Sequence, residues 1–156
     1  MLYPREFGDD PLFPKSSDFA VVFKDELTGK GVIAYRAFVR GEMIAKMAGH
    51  VVNDIRQHTL QITPQQHLFD PYFSGHFLHS CAPNISLSME TMTVTALEDI
   101  PADSFLYMDY AETEDHLFKQ FPCSFGAKTC RGWVMGRKDL CPLDPMTIVV
   151  GSQYGV

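Results

Sequence analysis

No run of apolar residues in this chain approaches the roughly 18 that a membrane-spanning helix takes. The opening stretch, MLYPREFGDDPLFPKSSD, lacks the apolar core of a secretory signal and is broken instead by Pro4, Pro11 and Pro14. Basic charge is scarce. Lys and Arg number 13 against 19 Asp and Glu, a net charge of −6. That sign does not suit a general nucleic-acid binder and does suit a cationic partner, such as a lysine-rich peptide or an amine. Cysteine is confined to Cys81, Cys123, Cys130 and Cys141. In a reducing compartment these are expected as thiols or metal ligands rather than disulfides. There is no internal repeat. These absences lead to the expectation of a soluble, intracellular, cytoplasmic chain, or a nuclear one in a eukaryote, with neither membrane nor nucleic-acid partner.

What is present is apolar and aromatic. Apolar residues make up 46% of the chain and Phe alone contributes 12, enough to exclude disorder and to build one core. The apolar runs are short and separated by turn residues. DFAVVFKDELTGKGVIAYRAF predicts two strands, with Val21, Val22 and Phe23 before a turn at Thr28–Gly31 and Val32, Ile33 and Tyr35 after it. Arg40–Gly41 predicts a turn, HTLQITP a short strand, METMTVTAL another, and Asp99–Asp103 a turn before SFLYMDY. EDHLFKQF predicts one or two helical turns. Many short strands and little helix place the chain in a mainly β class.

The stretch GHFLHSCAPN concentrates reactive side chains. His76, His79 and Cys81, with His67 and Asp70 upstream, are ligand types for a transition metal, but their spacing matches no common zinc pattern. Ser80 beside His79 suggests a nucleophile and its base, yet adjacent residues of an extended chain point to opposite faces. The acids Glu98, Asp99, Asp103, Asp109, Glu112, Glu114 and Asp115 are read either as an attractor for a cation or as a solvated face.

The order of motifs carries more than any one of them. Gly29–Ala34 (GKGVIA), His79–Asn84 (HSCAPN), Ala96–Tyr110 (ALEDIPADSFLYMDY) and Phe121–Gly132 (FPCSFGAKTCRG) follow one another along the chain. The first resembles the glycine motif of the SET-domain family of protein-lysine methyltransferases. The second resembles that family's Asn-His-Ser-Cys-x-Pro-Asn signature. The third is similar to its hydrophobic-x-Asp-Tyr end, and the fourth to the cysteine-rich segment that follows the domain. The resemblance spans residues 18 to 140.

The resemblance implies a mainly β, SET-like fold of several small sheets with a knot-like crossing and a short Cys-containing C-terminal segment. The implied divisions are an irregular lead-in over 1–17, a SET-like domain over 18–120, a post-SET-like segment over 121–141 and a tail over 142–156. S-adenosylmethionine is the implied cofactor, and a protein lysine or a small amine the implied acceptor. Lys30, Gly31, Leu78, His79 and the aromatics Phe121, Phe125 and Trp133 form the implied cofactor cleft. Tyr110 is the implied catalytic residue, at the neck of a channel that includes Tyr107 and Met108, with Asp109 supporting the fold beside it. A non-catalytic binding module of the same fold is the rival reading.

Three positions depart from the family pattern. Leu78 stands where an asparagine usually holds the methionine head of the cofactor. Phe125 stands where the middle cysteine of Cys-x-Cys-x4-Cys belongs, leaving Cys81, Cys123 and Cys130, with Cys141 out of the family's position, so zinc is not expected. Met108 stands where Phe or Tyr is frequent, so the number of methyl groups transferred is not read from the sequence.

Overall fold

The computed structural model describes residues 1–123, 128 and 130–140. Thirteen short strands carry the chain: β1 (Phe19–Asp25), β2 (Gly29–Ala34), β3 (Met43–Lys46), β4 (His50–Val52), β5 (Thr59–Thr63), β6 (Gln66–Phe69), β7 (Leu78–His79), β8 (Ile85–Ser88), β9 (Thr93–Ala96), β10 (Ser104–Phe105), β11 (Tyr107–Met108), β12 (Phe121–Pro122) and β13 (Trp133–Val134). They form three three-stranded sheets, ordered β1-β2-β10, β3-β9-β8 and β4-β6-β5, and two two-stranded pairs, β11-β7 and β12-β13. The mainly β expectation holds. Among the described strands, β7 with β11 is the one parallel pair; the other pairings are antiparallel.

Local chemistry sets the first hairpin. Asp25 Oδ1 accepts from the backbone N–H and the hydroxyl of Thr28, both at 2.7 Å. This Asx-type turn closes the chain one residue before Gly29, which takes φ +72° and opens β2. The predicted turn at Thr28–Gly31 is therefore displaced toward the N-terminus, and Lys30 and Gly31 pair with Phe23 and Val22 inside the sheet. The predicted helix over EDHLFKQF does not form. A single 3-10 turn lies earlier, at Tyr110–Glu112, where Asp109 accepts from Ala111 N at 3.0 Å. Downstream, Arg137 N donates to Glu114 O, Lys138 N to Asp115 O and Leu117 N to the Asp139 carboxyl. Those long-range bonds take the backbone groups that a helix would need.

The lead-in is irregular but integral to the core. Tyr3 and Phe13 are buried, and Tyr3 packs edge-on to Phe73, which packs on Phe19, which stacks on Phe38. Tyr3 also donates its hydroxyl to Asp70 at 2.6 Å. Asp70 is fully buried and accepts further bonds from the N–H groups of Tyr72, Phe73 and Ser74 and from the Ser74 hydroxyl. One carboxyl group thus shapes the loop leading into β7. Gly75 completes it: a Cβ there would lie 2.1 Å from Asp70 O, so no larger residue fits. Burial and the adjacent Asp70 push the Tyr3 hydroxyl well above the ordinary tyrosine range, so it remains a donor.

Removing that donor leaves part of a buried carboxyl group unsatisfied. We expect Tyr3→Phe to lower the unfolding free energy by about 1–3 kcal/mol, read as a lower urea midpoint at unchanged slope. An unchanged midpoint would show that the lead-in does not contribute to the stability of the Asp70 loop.

Candidate active site

The strands that carry the His-Ser-Cys and the Asp-Tyr motifs, β7 and β11, lie side by side. Tyr107 and Met108 of β11 pair with Leu78 and His79 of β7. Ser80 N donates to Met108 O at 2.9 Å, and Asn84 N to Tyr107 O at 3.0 Å. The Asn84 side chain then spans the junction, accepting from Tyr107 N at 2.8 Å and donating to Phe105 O at 3.0 Å. The His-Ser-Cys-Ala-Pro-Asn turn is thereby bolted to the strand that ends in Tyr110.

A cleft of about 1210 Å³ opens along this junction. Its lining includes Lys30 from β2, Leu78 and His79 from β7, Tyr107, Met108 and Tyr110, and Phe121 to Cys123. Of the described residues expected in the cofactor cleft and channel, Gly31 and Trp133 lie outside this lining, as do the metal candidates Cys81 and Cys130. Gly31 sits beneath Leu78: a Cβ on it would come within 2.7 Å of Leu78 Cδ1, so its lack of a side chain lets Leu78 pack down onto β2. Trp133 pairs with Pro122 and donates its indole N–H to Gln120 Oε1 at 2.8 Å. Phe125 and Cys141 fall outside the described residues.

Tyr110 is held at both ends. Its hydroxyl donates to Phe77 O at 2.6 Å, and its backbone N–H donates to His79 Nδ1 at 3.1 Å. The ring meets His79 and Phe121 edge-on, at 5.2 and 6.2 Å between centroids. Burial first, and the charge of Glu114 second, push its hydroxyl above the ordinary range, so it keeps its proton and does not act as a base near neutrality. Met108 is fully buried behind the cleft wall.

Because His79 Nδ1 accepts a backbone N–H, the proton of the neutral ring sits on Nε2, 3.4 Å from Cys81 Sγ. Burial pushes the ring down to about 4, with Asp109 pulling the other way and Arg131 adding to the depression. Asp109 receives both terminal nitrogens of Arg131, at 3.1 and 2.7 Å, tying the Cys/Gly segment to the junction. Burial alone would raise the Asp109 carboxyl, but Arg131 and the Ala111 N–H hold it below the ordinary range.

Donor atoms of His79, Cys81 and Cys123 lie within 4.8 Å of one another. These three alone do not complete a zinc site. The proton on Nε2 occupies the one nitrogen that faces the sulfurs, and a structural zinc takes four ligands. Cys130 Sγ accepts from Gly132 N at 3.3 Å.

Sequence reasoning missed two features of the cleft wall. The rings of His58 and His76 meet at a tilt of 39° with centroids 4.2 Å apart, and His76 faces Pro71 O at 2.9 Å. Nothing in their separation of eighteen residues signals the contact; it depends on the Asp70 loop. Glu114, nine-tenths and more buried, also lines the cleft, whereas a run of acids along the sequence is as readily read as solvated surface.

No family model and no curated protein matches this chain. Solved structures do. KRYPTONITE in complex with mCHG DNA and SAH superposes with a TM-score of 0.60 at 22% identity, over 72% of this chain and 28% of that one. The methyltransferase domain of the human histone-lysine N-methyltransferase SETMAR gives 0.58 at 20%, over 74% of this chain and 57% of that one. KRYPTONITE with mCHH DNA, H3(1-15) peptide and SAH gives 0.58 at 21%, over 72% and 29%. The chain therefore spans between about a quarter and just over half of the length of these three structures. What is shared at this identity is the fold.

His79 supplies a check on the site as drawn. By NMR its ring should stay neutral through pH 6.5 and titrate near 4. An unfolded chain takes that proton at the ordinary value of 6.5, so its contribution to stability is full above 6.5 and is lost as pH falls toward 4. Titration at the ordinary value would contradict the buried, Tyr110-bonded ring.

Proposed function

We propose that this chain, which has the fold of SET domains, is an S-adenosylmethionine-dependent N-methyltransferase whose acceptor is a protein lysine. The observation that carries the reading is the meeting of four separated segments on one cleft: Lys30, Leu78–His79, Tyr107–Tyr110 and Phe121–Cys123. These are the four motifs whose order carried the resemblance. The KRYPTONITE structures hold SAH and one holds an H3 peptide, which supports the cofactor and acceptor classes.

The residues present suit such a cofactor. The Lys30 side chain, exposed at the cleft, matches a carboxylate head group, and the Tyr110 and Phe121 rings suit an adenine or a sulfonium cation. Leu78 offers no side-chain hydrogen bond, and its backbone N–H already donates to Leu106 O at 3.4 Å. Losing that polar contact weakens cofactor binding by about 1.5–3 kcal/mol relative to an asparagine.

When bound, the cofactor supplies an electrophilic methyl group on a sulfonium. The protein's task is to present a neutral amine in line with it, so positioning dominates. Tyr110, with its proton committed to Phe77 O, turns oxygen lone pairs toward an incoming N–H. The buried Met108 and half-buried Tyr107 give the channel an apolar wall, which favours the uncharged amine.

The test is transfer of labelled methyl to a lysine peptide, with H3 residues 1–15 as the first probe. In single turnover Tyr110→Phe should slow transfer by about tenfold or more, about 1.4 kcal/mol, while S-adenosylhomocysteine affinity is unchanged. Full activity in that variant would remove Tyr110 from the reaction.

A further inference from the structure

Under the methyl-transfer reading, an acceptor amine reaches the cleft as an ammonium ion and must lose one proton before it can attack. The described residues of the cleft offer few groups for that proton. Tyr110 keeps its own, His79 is pushed down to about 4, burial also lowers His76, and His58, beside His76, commits its Nδ1 proton to Gly75 O at 3.0 Å. Asp25 is bonded to Lys24 and Thr28, which hold its carboxyl far below the ordinary range. Glu26 lies exposed at the rim.

Glu114 differs from all of these. It lines the cleft yet is only 4% exposed. Its Oε2 accepts from Gln61 N, on β5 at the edge of its sheet, at 2.7 Å. Its own N–H donates to Tyr110 O at 3.0 Å, so its backbone is fixed relative to the tyrosine. A carboxyl group is thus anchored in a dry wall beside Tyr110.

We propose that Glu114 binds the acceptor's ammonium group and takes its proton before methyl transfer. The ammonium N–H bond breaks, its electron pair stays on nitrogen, and the proton goes to the Glu114 carboxylate. The lone pair then forms the new N–C bond as the methyl C–S bond breaks and its electrons return to sulfur as a thioether. The carboxylic acid gives its proton to water after the product leaves. The electrostatics suit the task. Burial raises the Glu114 carboxyl above the ordinary range and Asp115 adds to that, while the Gln61 N–H and Arg137 restrain it. A raised carboxyl narrows the gap to an amine that a dry channel has already made less basic.

The inference rests on the methyl-transfer reading for its meaning, but its test does not need the true acceptor. The probe is Nα-acetyl-lysine methylamide, titrated by calorimetry or NMR into the full chain with and without S-adenosylhomocysteine, and the norleucine analogue is the uncharged control. Glu114→Gln keeps an oxygen to accept the Gln61 N–H and removes the charge. We expect it to weaken binding of the lysine probe by about tenfold or more, as loss of a charge-assisted contact should, and to leave S-adenosylhomocysteine affinity and the melting temperature unchanged. In the unsubstituted protein, affinity for the probe should fall as pH falls through the raised Glu114 value, a response that a purely structural side chain would not give. Equal affinity in both proteins, equal affinity for the norleucine analogue, or no detectable binding of the lysine probe would overturn the proposal. Failure of S-adenosylhomocysteine alone to bind would count against the methyl-transfer reading instead, and the probe titration on the cofactor-free protein would still decide the role of Glu114.

Discussion

The side-chain amide of Asn84 is the contact on which the rest of the site depends. It accepts from Tyr107 N and donates to Phe105 O, and so locks the turn after β7 to the strand that runs toward Tyr110. The parallel β7–β11 pair is only two residues long on each side. So short a ladder has little strength alone, and the amide supplies two further bonds at the point where the chain segments meet. From there the consequences follow in order. His79 is placed to accept the Tyr110 N–H, Tyr110 is aimed at Phe77 O, and the cleft acquires two fixed walls.

A second anchor works at a distance. Asp70 gathers four donors from its own loop and one from Tyr3, near the start of the described chain. That loop carries Gly75 and His76 and leads into Phe77, whose carbonyl holds the tyrosine. The lead-in, remote from the cleft in sequence, therefore bears on its shape through one buried carboxyl group. The same logic explains why Glu114 is buried without a full ion pair. Arg137 and Lys138 contact Asp115, the next residue, and leave Glu114 to a backbone N–H.

Much of this was legible in the sequence because its signals are local. The Gly-Lys-Gly run, the His-Ser-Cys-x-Pro-Asn run and the Asp-Tyr end each announce a short strand or turn, and their order pointed to the fold. The failures are of long range. The turn at Thr28–Gly31 was misplaced because the side chain of Asp25, not glycine alone, closes the hairpin. EDHLFKQF has the composition of a helix, but Asp139, Arg137 and Lys138 take its backbone groups from a segment twenty residues away. Gly31, expected in the cofactor cleft, makes room for Leu78 by its missing Cβ, a packing role that the sequence pattern does not signal. That substitution for asparagine, puzzling in the sequence, is at least a packed one: Leu78 is buried and seated on β2.

The central claim is that one cleft, built on the β7–β11 junction, holds a nucleoside sulfonium cofactor. Amide chemical-shift mapping tests it directly. On titration with S-adenosylhomocysteine, the largest shifts should fall on Lys30, Leu78, His79, Tyr110 and Phe121, which are brought together only by the fold. Shifts clustered elsewhere, or none at saturating ligand, would contradict the account.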